Sequence, residues 1–115
     1  MRHGRSKKHL NMNPAHRASV LKNLTISMLK AGKINTTLAK AKWFAPYMEK
    51  MITLAKQKDL AKTRLLASRL DKQTVAYLYE IAKKMENRNG GYTRIKKTWM
   101  RYGDASKTAM VEFVF

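Results

Sequence analysis

Ten cations fall within the first 48 residues: Arg2, Arg5, Lys7, Lys8, Arg17, Lys22, Lys30, Lys33, Lys40 and Lys42. No Asp or Glu precedes Glu49. Like charges repel within about a Debye length, roughly 8 Å at physiological salt, so protein surfaces ordinarily mix both signs. The chemistry open to a one-sign run of this length is electrostatic neutralisation of a polyanion. Phosphate fits best, because each Lys or Arg docked on a nucleic-acid backbone releases condensed counterions. His3, His9 and His16 sit among these cations without helical ligand spacing and with no carboxylate close in sequence. They read as donors to phosphate or stacking partners for bases, not as a metal site.

The excess of charge is shared by the whole chain. Residues 1–48 contribute +10, and fifteen Lys and Arg against all seven acids give +8 in the remainder, for a formal net charge of +18 over 115 residues. Small soluble domains ordinarily carry a magnitude of about 2 to 8. A hydrophobic fraction of 44% is enough for one modest core, and the length predicts one domain. Cysteine is absent, which removes disulfides, thiolate chemistry and Cys-based zinc sites. The acids lack paired spacing, no glycine-rich phosphate loop occurs, and Ser and His form no nucleophile motif, so neither an enzyme nor a cofactor is expected. No apolar run approaches a spanning helix, and Met1 to Leu10 lacks a signal-peptide core, which predicts a cytosolic chain without a membrane partner. A general nucleic-acid packaging protein and a protein held on anionic lipid remain the competing readings of the charge.

The elements that must position these cations follow from spacing. Residues 1–13 have too little apolar surface to pack and read as a basic arm that orders on its partner. Asn13-Pro14 starts a helix, with Asn as cap and Pro in the first turn. Leu21, Leu24, Met28 and Ala31 then form its buried stripe, and Gly32 ends it. Lys33 to Thr37 is short and β-branched and predicts an edge strand, with Thr37 capping the next helix. There Leu38, Ala41, Ala45, Met48, Ile52 and Ala55 form the longest stripe, and Pro46 inside it predicts a kink or a restart. Lys40 and Lys42 lie near the start of that helix, where cations oppose the macrodipole, which points to an external anion or to a solvated pair. Asp59 and Asp71 read as caps of two more helices. Leu66 and Leu70 anchor the first to the core; Val75, Leu78, Ala82 and Met85 anchor the second. Lys62, Arg64, Arg69, Lys83 and Lys84 read as solvated.

After Gly90-Gly91 the period changes to two. Tyr92, Arg94, Lys96 and Thr98 share one face; Thr93, Ile95, Lys97 and Trp99 share the other. Thr108 to Phe115 alternates as well, with Ala109, Val111, Phe113 and Phe115 aligned, and Gly103-Asp104 turns the two strands into a hairpin. Aromatics among Arg94, Lys96 and Lys97 are compatible with an RNA-stacking sheet and equally with a sheet packed on helices. Trp43, Tyr92 and Trp99 therefore either stack on bases or pack inside. The order of helix, strand, three helices and two strands predicts a two-layer α+β fold, a small mixed sheet packed on helices, with residues 14–115 as one globular domain.

Three blocks give the chain a family resemblance. They are Met1-Arg2-His3 with Leu10-Asn11 and His16-Arg17; Ile34-x-Thr36-Thr37-x-x-Lys40-Ala41-Lys42 followed by Glu49-x-Met51-Ile52-Thr53-x-Ala55-Lys56; and Gly90-Gly91-Tyr92-Thr93-Arg94-Ile95 with Arg101, Gly103-Asp104 and Glu112. In this order and separation they resemble the bacterial large-subunit ribosomal protein seventeen family. Departures occur in the arm, where the family commonly has Gly at the place of Lys7 and a basic residue at the place of Met12. The resemblance implies a non-catalytic structural protein of the large ribosomal subunit that binds 23S rRNA near the peptide exit tunnel, beside other large-subunit proteins. Joined to the charge pattern, it makes Arg2, His3, Arg5, Lys7, Lys8, His9, Arg17, Lys40, Lys42, Arg94, Lys96, Lys97 and Arg101 the candidate RNA-binding residues.

Overall fold

The computed structural model describes residues 9–115. Seven elements follow one another: α1 (Pro14–Ala31), β1 (Lys33–Thr37), α2 (Leu38–Lys56), α3 (Leu60–Arg69), α4 (Lys72–Lys84), β2 (Thr93–Met100) and β3 (Lys107–Phe113). The α+β order expected from the sequence is the order observed. Arg2, His3, Arg5, Lys7 and Lys8 lie outside the described residues.

Local chemistry sets most of the boundaries. Asn13 Oδ1 accepts the His16 N–H at 2.8 Å, and Pro14 opens α1 with a φ already suited to the helix. At the far end Gly32 takes φ 77° and its N–H closes on the Met28 carbonyl at 2.7 Å. A residue without Cβ enters this left-handed region without strain, which lets the chain leave α1 directly into β1. Asp59 and Asp71 occupy the cap positions of α3 and α4, as expected, but neither side chain bonds to its helix. Asp71 instead pairs with Lys22 Nζ at 2.9 Å and ties the start of α4 to α1.

The centre of the molecule is α2, which packs against every other element. It buries Ala41, Phe44, Ala45, Met48, Met51, Ile52 and Ala55. Each large apolar side chain so buried contributes about 1.5 to 3 kcal/mol. That outweighs the roughly 3 kcal/mol that an internal proline costs, and of the kink or restart expected at Pro46 the restart does not occur, since α2 is continuous from Leu38 to Lys56. Pro46 and Lys42 are both exposed, so the Lys42 carbonyl that loses its helical donor can turn to water. In α1 the buried residues are Thr25, Met28 and Leu29, whereas Ala31 is exposed at the helix end. Thr25 is fully buried, and its hydroxyl donates to the Leu21 carbonyl at 2.8 Å, which removes the cost of an unpaired polar group in the core. Leu66, Leu70, Val75, Leu78, Ala82 and Met85 complete the helical side of the core.

The sheet is antiparallel throughout, with strand order β1-β3-β2, where a mixed sheet was expected. The physical reason lies in the hairpin. β1 and β2 run in the same direction, but β3 turns back and inserts between them, so no parallel pair forms. Ala109, Val111 and Phe113 face the helices and are buried; Phe115 lies past the end of β3 and is exposed, beneath Lys84 Nζ at 5.8 Å from its ring centre. No helix among the described residues is long and apolar enough to cross a membrane.

Candidate nucleic-acid interface

Pairing register converts the alternation of three strands into cross-sheet rows. On the face turned from the helices, Lys33, Glu112 and Arg94 form one row, and Asn35, Met110 and Lys96 form the next. A third row begins with Thr37 opposite Thr108, whose hydroxyl lies 2.6 Å from that of Thr98. Three cations thus surround one acid. Lys96 Nζ reaches Glu112 Oε1 at 2.6 Å, and Arg94 Nη1 stands at 3.8 Å from the same oxygen. The hydrogen bond from Lys96 holds the Glu112 carboxyl below its ordinary value, and the charges of Lys96, Arg94 and Lys33 push the same way. Glu112 therefore remains ionised and keeps the cations at fixed spacings without cancelling their charge.

The rows end in a concavity of about 690 Å³ between the sheet and the start of α2, lined by Asn35, Thr37, Lys40, Thr98, Trp99, Arg101, Thr108 and Met110 among others. Thr37 Oγ1 accepts the Lys40 N–H at 3.4 Å and fixes this first turn beside the strand. Arg101 is clamped by Asp104, Nε to Oδ1 at 3.2 Å and Nη2 to Oδ2 at 2.5 Å. That clamp and the Ser106 N–H hold the Asp104 carboxyl well below the usual carboxylate range.

The structure sorts the candidate cations into groups. Lys40, Arg94, Lys96 and Arg101 gather about the outward face. Lys97 shares register with buried Ala109 and so belongs to the opposite side of β2, where it is exposed. Lys42 lines a shallow depression beside Thr93 and Ile95. Arg17 is turned to the chain itself: its Nη1 donates to His9 Nδ1 at 2.7 Å and to the Met12 carbonyl at 2.9 Å, which fastens residues 9–12 to α1. Since a guanidinium can only donate, His9 Nδ1 is the acceptor here.

Among the three aromatics left open by the sequence, Tyr92 is buried, and Lys56 Nζ donates to its hydroxyl at 3.0 Å. Trp43 is partly buried. Trp99 is 87% exposed and has left the face that alternation assigns it with Ile95. A β-bulge between Lys97 and Met100 explains the reversal, because it sets both Thr98 and Trp99 against Thr108. Sequence reasoning also missed Lys33 and Glu112 as members of the outward face. Their place depends on β1 pairing with β3, which only the fold supplies. No group of three or more His, Cys, Asp or Glu that could hold a metal ion occurs among the described residues.

A family model described as ribosomal protein L17 matches residues 20–114. The chain belongs to the ribosomal protein L17 family. Large ribosomal subunit protein bL17 of Campylobacter lari is 50% identical to it and covers 99% of each chain. The proteins of the same name from Pelagibacter ubique and Sphingopyxis alaskensis are 46% and 45% identical; each alignment spans 99% of this chain and 80% and 84% of the relative. L17 proteins are structural components of the ribosome and not enzymes. The matched span holds the whole outward face with Lys40, Arg94, Lys96 and Arg101, whereas Arg17 precedes it.

Proposed function

We propose that this L17 protein is a structural constituent of the large ribosomal subunit that binds 23S rRNA near the peptide exit tunnel, in contact with neighbouring large-subunit proteins. The observation that carries the reading is the division of labour on the sheet. Its helix-facing side is consumed by the core, while the outward side presents Lys33, Arg94 and Lys96 about a single acid, with Lys40 and Arg101 at its end. Cations held in register by a sheet suit the regular phosphates of folded RNA, read by shape more than by sequence. The family relationship supports the large subunit, and the resemblance in the three sequence blocks supports the exit-tunnel neighbourhood.

Residues 14–115 act as the globular body and residues 1–13 as a basic arm. In this reading Arg2, Arg5, Lys7 and Lys8 neutralise phosphates between RNA helices, His3 and His9 donate to phosphate or stack on bases, and Lys42 and Lys97 supply contacts on the second side of the body. Arg17 serves by holding the root of the arm to α1. Sucrose-gradient fractionation of high-salt-washed ribosomes is the direct test. Stoichiometric recovery with the large subunit is expected, and recovery in the soluble or nucleoid fraction would sink the assignment. For the arm, deletion of residues 2–9 should leave thermal stability nearly unchanged and flatten the salt dependence of 23S rRNA binding by about 3 in log–log slope. An unchanged slope rules the arm out of the contact.

A further inference from the structure

We propose that the concavity at the end of the outward face is a subsite for one unpaired RNA nucleotide, whose base stacks on Trp99. The inference rests on the RNA-binding reading above and adds the kind of RNA feature that is recognised.

The bulge in β2 does more than expose an indole. Thr108 has one hydroxyl hydrogen, and it donates to the Trp99 carbonyl at 2.5 Å. The 2.6 Å contact with Thr98 must then run from Thr98 to Thr108. Two hydroxyls in relay therefore pin the backbone of Trp99 where the bulge has turned it. An exposed Trp at this position has no part in the core, so the pinning serves something outside the fold.

The surroundings match the chemistry of a nucleotide. The concavity of about 690 Å³ falls within the roughly 300 to 1,000 Å³ common for small-ligand sites. Trp99 supplies a π-face; Asn35 and Thr37 supply donors and acceptors for a base edge or a ribose hydroxyl. Lys40 and Arg101 supply charge for the phosphate. The Asp104 clamp takes two of the five N–H donors of Arg101 and leaves a positioned guanidinium. A paired base keeps its faces inside its own helix, so an aromatic platform of this kind can be used only by a base that has left the stack. An apolar protein segment is the poorer fit, since it would cover Lys40, which lines the concavity, without supplying a counter-charge.

The test uses the full chain and two hairpin RNAs that differ by one unpaired adenosine in the stem, at matched salt. The wild-type protein should prefer the bulged RNA about tenfold, within the range that one stacked base supplies, and its Trp fluorescence should be quenched by that RNA alone. Trp99→Ala should lose the preference and Trp99→Phe should keep most of it, with circular dichroism unchanged in both. Equal wild-type affinity for the two RNAs, or a preference that survives in Trp99→Ala, overturns the subsite while leaving RNA binding intact. Failure to bind either RNA overturns the RNA reading and the subsite together. A Trp99→Ala protein that keeps its RNA preference yet is lost from the large subunit assigns Trp99 to a protein neighbour and also overturns the proposal.

Discussion

The two faces of one sheet could hardly differ more. Toward the helices, Ile34, Val111 and Ile95 stand in register, with Val111 fully buried. One residue along each strand, Lys33, Glu112 and Arg94 stand in register on the other side. The same ladder of backbone hydrogen bonds orders both rows, but only the first gains free energy from leaving water. Exposed ion pairs are screened by water and contribute little, so the second row is nearly neutral for stability. What it gains is geometry. An interaction surface built in this way places charge at fixed spacing while asking almost nothing of the core.

Adjacent residues on β3 offer the sharpest way to break that contrast. Val111→Asp buries an unpaired carboxylate against α2 and should cost about 4 kcal/mol or more in urea unfolding. Met110→Asp, one position earlier and on the outward face beside Lys96, should shift stability by less than about 1 kcal/mol while weakening RNA binding. Similar losses for the two would show that the outward face is part of the fold after all.

Gly32 belongs to neither face and tests whether they are independent. Its Cβ position is open, so Gly32→Ala meets no clash and costs only the left-handed backbone, about 1 to 2 kcal/mol. Chemical unfolding should register that loss, and RNA affinity measured well below the transition should not change. A joint fall would mean that the cation rows depend on the α1 to β1 junction.

The smallest expected effect is that of acid on the outward row. Glu112 titrates below its ordinary value of 4.5 in the folded chain, so its contribution to stability is present above that pH and is lost as pH falls through the lower folded value. Glu112→Gln should therefore lose less stability than the wild type as pH is lowered below 4.5, with the two curves parallel above it. Parallel curves throughout would mean that Lys96 and Arg94 do not hold the carboxylate in solution.

Helix periodicity and turn chemistry made most of the fold legible before any coordinates. The stripes of α2 and α4, the Asn13 cap, the Gly32 stop and the Gly103-Asp104 hairpin all depend on residues close in sequence. The errors fall where distant partners decide. Pairing of β3 with both β1 and β2 made the sheet antiparallel, and burial along α2 carried the helix past Pro46 without the restart that was one of two expectations there. Candidate cations were readable by type, but their grouping was not. Alternation separated Lys97 correctly from Arg94 and Lys96, but it kept Trp99 on the face of Ile95, because a bulge leaves no mark in local composition. Arg17 was legible as a cation beside the arm, whereas its bonds to His9 and Met12 need a folded chain to be seen.

The strand made last is the one in the middle. β1 and β2 each pair only with β3, so neither has a sheet partner while the chain is still being synthesised. Lys33 meets Glu112, and Thr98 meets Thr108, only when the hairpin closes. Assembly of the cation rows is thus tied to completion of the polypeptide, which makes the outward face a built-in checkpoint: a truncated product keeps its charge but never acquires its pattern.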